Sequence, residues 1–144
     1  MKEFFGSEKW LQAAAFALRY EVFVLEQQIE PQLEFDALDD HTRSYYVAFI
    51  EQKPVATIRY QTSTATTLQP DRLCVAKNFR KQGLGTRALL TIEAKGRAAG
   101  LNHAQLVAEV SAQVFYERLG YHKTSSPYLA DGILCITMQK QLSD

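Results

Sequence analysis

The stretch Leu73-Cys74-Val75-Ala76-Lys77-Asn78-Phe79-Arg80-Lys81-Gln82-Gly83-Leu84-Gly85-Thr86 has the composition of an anion site. An apolar run leads into a loop carrying Lys77, Arg80 and Lys81, and two glycines then open a helical pattern. Glycine lets a backbone approach a ligand closely. The first N–H groups of a helix lack internal partners, and the helix dipole places partial positive charge there. Three cations ahead of such a helix predict that Arg80, Lys81, Gln82, Gly83, Leu84, Gly85 and Thr86 cradle a pyrophosphate. The competing reading is a tight loop whose glycines serve packing alone; the cations weigh against it.

A second pattern overlaps the first. Gly83-Leu84-Gly85-Thr86-Arg87-Ala88 satisfies the dinucleotide fingerprint Gly-x-Gly-x-x-Gly/Ala, with Glu109 at the spacing of a ribose-binding acid. In that fingerprint the first glycine closes an apolar strand. Here seven residues, 76–82, separate Val75 from Gly83, and too little chain follows for a second nucleotide-binding half. No Gly-Lys-Ser/Thr follows either, which excludes a nucleoside triphosphate loop.

The elements that must position this turn are legible as periodicities. Residues 83–99 read as a helix with Leu84, Ala88, Leu89, Ile92, Gly96 and Ala99 on one face. Glu93 and Arg97 form an i, i+4 pair on the other face, and Gly100 stops the helix. Residues 9–27 read as an earlier helix through Leu11, Ala14, Leu18, Val22 and Leu25, with Ser7 as N-cap and Pro31 ending any continuation. Strands are predicted over 44–51, 72–75, 104–108 and 133–140, and a short helix over 112–119. Gln52-Lys53-Pro54 reads as a turn. Residues 55–61 alternate as a half-buried strand, in which Arg59 reads as a structural ion-pair partner. The β-branched run 62–67 extends that strand, turns, or begins the next. The outcome is an α/β or α+β sheet covered by helices.

Composition narrows the function. A chain of 144 residues, 47% of them hydrophobic, fits one domain over residues 1–144. Sixteen basic and sixteen acidic side chains cancel, which argues against a nucleic-acid partner. No apolar run approaches about 18 residues and no signal peptide is visible, so no membrane partner and a cytoplasmic location are expected. Cys74 and Cys135 lie far apart without a Cys-x-x-Cys pair or a histidine at ligand spacing. That predicts two buried, reduced thiols and no metal. His41, His103 and His122 read as surface residues. Between Tyr20 and Thr42 stand seven of the sixteen acids, Glu21, Glu26, Glu30, Glu34, Asp36, Asp39 and Asp40, with no Lys or Arg. The segment is either a solvated loop or an acidic mouth that attracts a cationic amine and takes its proton. Glu34 is the base chosen here, beside Glu26, Asp36 and Glu109, among which spacing does not decide. Phe23, Phe35 and Tyr128 read either as core or as pocket walls.

With these residues in view, the sequence resembles the GNAT superfamily of acyl-CoA-dependent N-acyltransferases. The family motif Arg/Gln-x-x-Gly-x-Gly/Ala is present as Arg80-Lys81-Gln82-Gly83-Leu84-Gly85. A second motif, Ala-x-x-Phe-Tyr-Glu-x-x-Gly-Phe, is present from Ala112 to Tyr121, with Tyr121 in place of the final Phe. The resemblance runs from about Arg59 to the end. The segment from Leu18 to Gln27, followed by Glu34-x-Asp36-x-x-Asp39, is similar to the ElaA/YjcF-like branch. Relatives in that branch often end in Gly-Ile-Pro-His-x-x-Met; here Cys135 stands at the histidine position, so any role of that histidine is absent.

The resemblance implies a mixed, mostly antiparallel central sheet with splayed strands, flanked by helices. It implies acetyl-CoA as acyl donor, its pantetheine arm along Leu73, Cys74 and Val75 and its pyrophosphate on the turn after Arg80. It implies Tyr116 as the general acid that protonates the departing thiolate; the acidic segment adds the expectation of a small, cationic amine as acceptor. A homodimer is compatible with this reading. The alternative from another class is an acyl-CoA-binding sensor without turnover.

Overall fold

A computed structural model describes residues 1–61 and 66–143. In chain order the elements are β1 (Lys2–Gly6), α1 (Lys9–Arg19), a π-helical continuation (Tyr20–Glu26), α2 (Pro31–Glu34), β2 (Ser44–Ile50), β3 (Lys53–Tyr60), β4 (Thr67–Leu68) and β5 (Asp71–Val75). There follow α3 (Leu84–Ala98), β6 (His103–Glu109), α4 (Gln113–Arg118), β7 (His122–Lys123), β8 (Tyr128–Ala130) and β9 (Ile133–Gln141). One sheet has the antiparallel order β1-β2-β3-β5; the other runs β4-β6-β9-β7, with β8 also on β9 and only β4 parallel to its neighbour β6. No helix among the described residues is long and apolar enough to cross a membrane.

The alternation of side chains along each strand explains the layers. On β2, Tyr46 and Ala48 join Ala88, Leu89 and Ile92 of α3 in the main core, which also takes Leu106, Ala108, Ile136 and Met138 from the second sheet. Tyr45 and Val47 point the other way, onto Leu11 and Ala15 of α1. Helix α3 therefore spans both sheets, and α1 covers the back of the first. The strand 55–61 is not half-buried as expected: every residue from Val55 to Tyr60 is buried. Its polar members are satisfied inside, Thr57 donating to the Tyr46 carbonyl at 2.7 Å and Arg59 pairing with Asp36 and Asp71.

Other expectations shift locally. Ser7 does not cap α1; Glu8 occupies the N-cap, with no side-chain cap bond. Pro31 starts the short helix α2 at its first turn, where a missing N–H costs nothing. The β2–β3 turn is Glu51-Gln52, both at positive φ as a two-residue hairpin requires, and Pro54 lies within β3 beside a bulge. Of the run 62–67, residues 62–65 lie outside the described residues; Thr67 begins β4.

The setting of Glu93 is a correction. Its i, i+4 pair with Arg97 is present at 3.9 Å, but its side chain is fully buried and accepts the Tyr121 hydroxyl at 2.7 Å and the Lys140 ammonium at 2.7 Å. Tyrosine at the last motif position thus comes with an internal acceptor for its hydroxyl. Glu93→Ala leaves a buried phenol and a cation unpaired, so a loss of about 3–5 kcal/mol is expected; Tyr121→Phe, which keeps the Lys140 pair, should cost about 1.5–3 kcal/mol. Urea unfolding checks this, and a Glu93→Ala loss within about 0.5 kcal/mol, the range of surface changes, would contradict it.

Candidate active site

The site begins where one line of chain changes sheets. Strand β4 pairs with β6 through Thr67 and Leu68; after Gln69 and the buried Pro70 the chain continues as β5 beside β3. Proline has no N–H to extend the first ladder. Thr57 pairs with Cys74 but Arg59 with Asp71, so β5 carries one extra residue, and Arg72 takes φ 54° in that bulge. Strands β5 and β6 diverge, and the split between them opens into two cavities. One, of about 560 Å³, is lined by Leu73, Cys74, Val75, Arg80, Lys81, Gly83, Leu84, Gly85 and Thr86, with Phe115 and Arg118. The other, of about 350 Å³, is lined by Glu34, Arg72, Glu109, Tyr116, Asp131 and Cys135 among others. Phe23, Gln27 and Leu73 line both, so the cavities meet at that point.

The turn ahead of α3 is built for backbone contact. Lys81 (φ 64°) and Gly83 (φ 80°) are both left-handed, and no side chain caps the helix. A Cβ added at Gly83 meets no atom within 4 Å, so its glycine serves conformation and open space rather than packing. At Gly85 a Cβ would rest in ordinary contact with Phe115 and Val75 at 3.7 Å. Uncapped N–H groups at a helix N-terminus under open space fit an anion. The cations are arranged less simply than their spacing suggested. Lys77 does not line the groove and Arg118 does. The Arg80 guanidinium donates to the Val75 carbonyl at 3.0 Å and bidentately to Glu26 at 2.6 and 2.8 Å, tying the π-helical stretch to the turn. Gln82 is exposed in the same turn and does not line the groove.

In the second cavity Tyr116 is held by ring contacts with Phe115 and Tyr121, and its hydroxyl has no hydrogen-bond partner among the described residues. Burial, followed by the charge of Glu109, pushes its phenol up to about 12, so it keeps its proton near neutrality. Glu109 is exposed, has no ion-pair partner among the described residues, and lies opposite Cys135 across the β6–β9 ladder. Cys135 thus forms part of this wall at the position where branch relatives often have histidine. Phe23 lines the cavities, whereas Phe35 packs on Phe16 and the Arg19 guanidinium, and Tyr128 bonds Thr137 at 3.0 Å. All three histidines are exposed.

The acidic segment is largely neutralised by arginines from other elements. Arg19, fully buried, donates to Glu34 at 2.8 Å and to both Asp39 oxygens at 2.7 and 2.9 Å. Arg59 holds Asp71 and Asp36 and reaches Asp39 at 3.0 Å; Arg72 reaches Glu34 and Asp36, each at 3.2 Å. Glu34, the chosen base, lines the second cavity but is clamped from behind; burial pushes its carboxyl up, against the pull of Arg19 and Arg72.

The family model of the acetyltransferase (GNAT) domain matches residues 11–142. The chain belongs to the GNAT acetyltransferase family. Its GNAT character therefore extends well upstream of Arg59, where the motif resemblance began. The Bacillus subtilis (strain 168) protein YjcF is 31% identical over 127 residues, 88% of this chain and 89% of that protein. A crystal structure from Lactobacillus plantarum superposes with TM-score 0.93 at 34% identity, over 99% of this chain and 98% of its own. An acyl-CoA N-acyltransferase from Pseudomonas aeruginosa follows at 0.83 and 26%, over 96% and 98%.

Within this GNAT domain, Arg72, Gln27, Arg118 and the Glu26–Arg80 pair were not read from sequence. Arg72 had no local signal, since only the bulge turns it toward the acidic segment. Phe115 and Arg118 sit in the second motif and were open to inference from it.

The arginine clamp sets an acid limit. Burial alone would raise the Asp39 carboxyl, but hydrogen bonds from Arg19 and Tyr45 and the charges of Arg19 and Arg59 outweigh it and hold the group far below its usual range. A depressed carboxylate stabilises the fold fully above its unfolded value of about 3.9 and loses that contribution as pH falls below it. Glu34, raised, runs the other way and blunts this limb. Urea midpoints should therefore fall between about pH 5 and pH 2. Asp39→Asn should cost about 3–5 kcal/mol at pH 7 and flatten that fall; an unchanged acid slope would show that Asp39 does not set it.

Proposed function

We propose that the chain transfers an acetyl group from acetyl-CoA to the amino group of a small, cationic acceptor by direct attack. The observation that carries this reading is the unpartnered, protonated Tyr116 hydroxyl in a cavity that meets the anion groove at Leu73. Likeness to the Pseudomonas acyl-CoA N-acyltransferase supports the donor class. In this reading the amides of Gln82–Thr86, with Lys81 and Arg118, hold the pyrophosphate, and the free edge of Leu73, Cys74 and Val75 takes the pantetheine arm. A backbone N–H of that edge polarises the thioester carbonyl. Glu109 replaces Glu34 as the base, because Glu34 is held by Arg19 and Arg72 while Glu109 has no arginine on it among the described residues. It takes a proton from the ammonium; the neutral amine attacks the carbonyl carbon, the carbon–sulfur bond breaks, Tyr116 gives its proton to the thiolate, and the new amide nitrogen loses its second proton to the Tyr116 phenolate. Positioned acid catalysis of this kind contributes about 10²–10⁴-fold.

Two measurements test the reading. Tyr116→Phe should lower single-turnover thiol release about 10²-fold or more while acetyl-CoA affinity barely changes, the signature of an interaction made in the transition state. Wild-type turnover in that variant removes Tyr116 from the chemistry. Acetyl-CoA should also raise the melting temperature of the wild type through mass action, whereas NAD should not. Gly83→Val should abolish that rise by filling the open space above the turn. A preserved rise in the folded variant means the anion sits elsewhere.

A further inference from the structure

Residues 20–30 run between two fixed points. Arg19, fully buried, holds one end, and Glu34, bound by Arg19 and Arg72, fixes the other. Between them the chain is π-helical from Tyr20 to Glu26 and turns at Gln28 with φ 59°. None of its backbone hydrogen bonds among the described residues reaches a strand; the Gln27 and Ile29 N–H groups donate to the Val22 and Phe23 carbonyls at 3.1 and 2.9 Å. Val22 and Phe23 pack with Leu18, Cys74 and Ala76. Among the described residues, one side chain of the stretch forms a hydrogen bond or ion pair outside it. That side chain is Glu26, which accepts from both terminal nitrogens of Arg80 at 2.6 and 2.8 Å.

Arg80 lines the anion groove, yet its fork is already engaged. Its Nε donates to the Val75 carbonyl at 3.0 Å, and Glu26, which does not line the groove, takes the other two nitrogens. A guanidinium presents the same planar, bidentate face to a carboxylate and to a phosphate. Glu26 therefore fills, from within the chain, the contact that an anion over the turn would make with Arg80. The stretch that carries it also carries Phe23 and Gln27, which line both cavities.

We infer that Glu26 is an internal competitor: it holds Arg80 off the anion groove, and an anion that takes this guanidinium frees the stretch carrying Phe23 and Gln27 at the junction of the two cavities. The inference rests on the transferase reading above only for the anion at the turn. Both side chains of the pair are about one-third exposed, so the contact to be displaced is weak, and removing the competitor gains about fivefold or less in affinity. Linkage makes the coupling reciprocal: an occupant of the second cavity that needs the stretch displaced binds more tightly once the groove is filled.

The test uses Glu26→Ala, with Glu30→Ala as a control that removes the same charge from the same stretch without touching Arg80. The Glu26–Arg80 pair is a surface pair, so its loss leaves the fold intact. Calorimetry with inorganic pyrophosphate and with CoA should give Kd values about two- to fivefold lower for Glu26→Ala than for the wild type, and Glu30→Ala should match the wild type. Hydrogen exchange reads the release directly. In the wild type, saturating pyrophosphate should speed exchange at the Gln27 and Ile29 amides; in Glu26→Ala these amides should exchange faster from the start and respond no further. Wild-type affinity in Glu26→Ala, an equal gain in Glu30→Ala, or wild-type exchange that pyrophosphate leaves unchanged or slows overturns the inference. No binding of pyrophosphate or CoA to any of the three proteins overturns both the inference and the anion groove. A gain confined to Glu26→Ala, with the exchange response, in a protein that releases no thiol from acetyl-CoA with any amine upholds the inference and instead overturns the transferase reading.

Discussion

The functional side of the molecule depends on a strand that cannot keep its first partner. Chain 67–75 starts beside β6 and ends beside β3, and the change falls at Pro70, which has no N–H to offer either ladder. Past that point β5 has a ladder on one side only, and β6 beyond Ala104 loses its parallel neighbour. Backbone groups along such edges need a partner from outside the sheet. A split of this kind would weaken an isolated sheet, but α3 packs across both halves, with Ala88, Leu89 and Ile92 in a core continuous from Ala56 to Met138. The apolar layer thus holds together two sheets that are not hydrogen-bonded to each other, and the gap between them is left for chemistry.

Two buried arginines solve a different problem. The segment from Glu30 to Arg43 has one short helix, α2, and few core side chains. It is fixed by Arg19 and Arg59, which reach its carboxylates from α1 and β3. Buried ion pairs rarely add net stability over an apolar core of equal size, but breaking one is costly. The acids therefore act as scaffolding. They set Leu33 and Glu34 at the edge of the second cavity, and most of the charge that a count along the chain suggests is cancelled before it reaches solvent.

How much of this was legible follows from how local each signal is. Helix α3 and the glycines that open it are legible because glycine spacing and apolar periodicity are properties of one short stretch. The double-sided burial of β3 was hidden, since Thr57 and Arg59 look like a solvent face until their partners Tyr46, Asp36 and Asp71 are known. Glu93 misled for the same reason: the i, i+4 rule sees Arg97, while the partners that bury it, Tyr121 and Lys140, are 28 and 47 residues away. The wall formed by Glu109 and Cys135 depends on the β6–β9 register, which no local pattern encodes.

The same distinction separates the two ends of the site. The anion end is made chiefly of backbone from one continuous stretch, so it keeps its geometry as long as the turn keeps its glycines. The other end is made of side chains from α2, β5, β6, α4 and the β8–β9 hairpin, each free to change without disturbing the turn. The Glu26–Arg80 pair ties the π-helical stretch to the turn. Each of its side chains is about one-third exposed, which limits the pair to about 1 kcal/mol or less. That is enough to orient Arg80 beside the Val75 carbonyl and too little to hold it there against a multiply charged anion. In the proposed reading, an anion at the turn competes with Glu26 for the same guanidinium. The stretch that carries Phe23 and Gln27, which line both cavities, is thus anchored to the one cation whose partner an anion can replace.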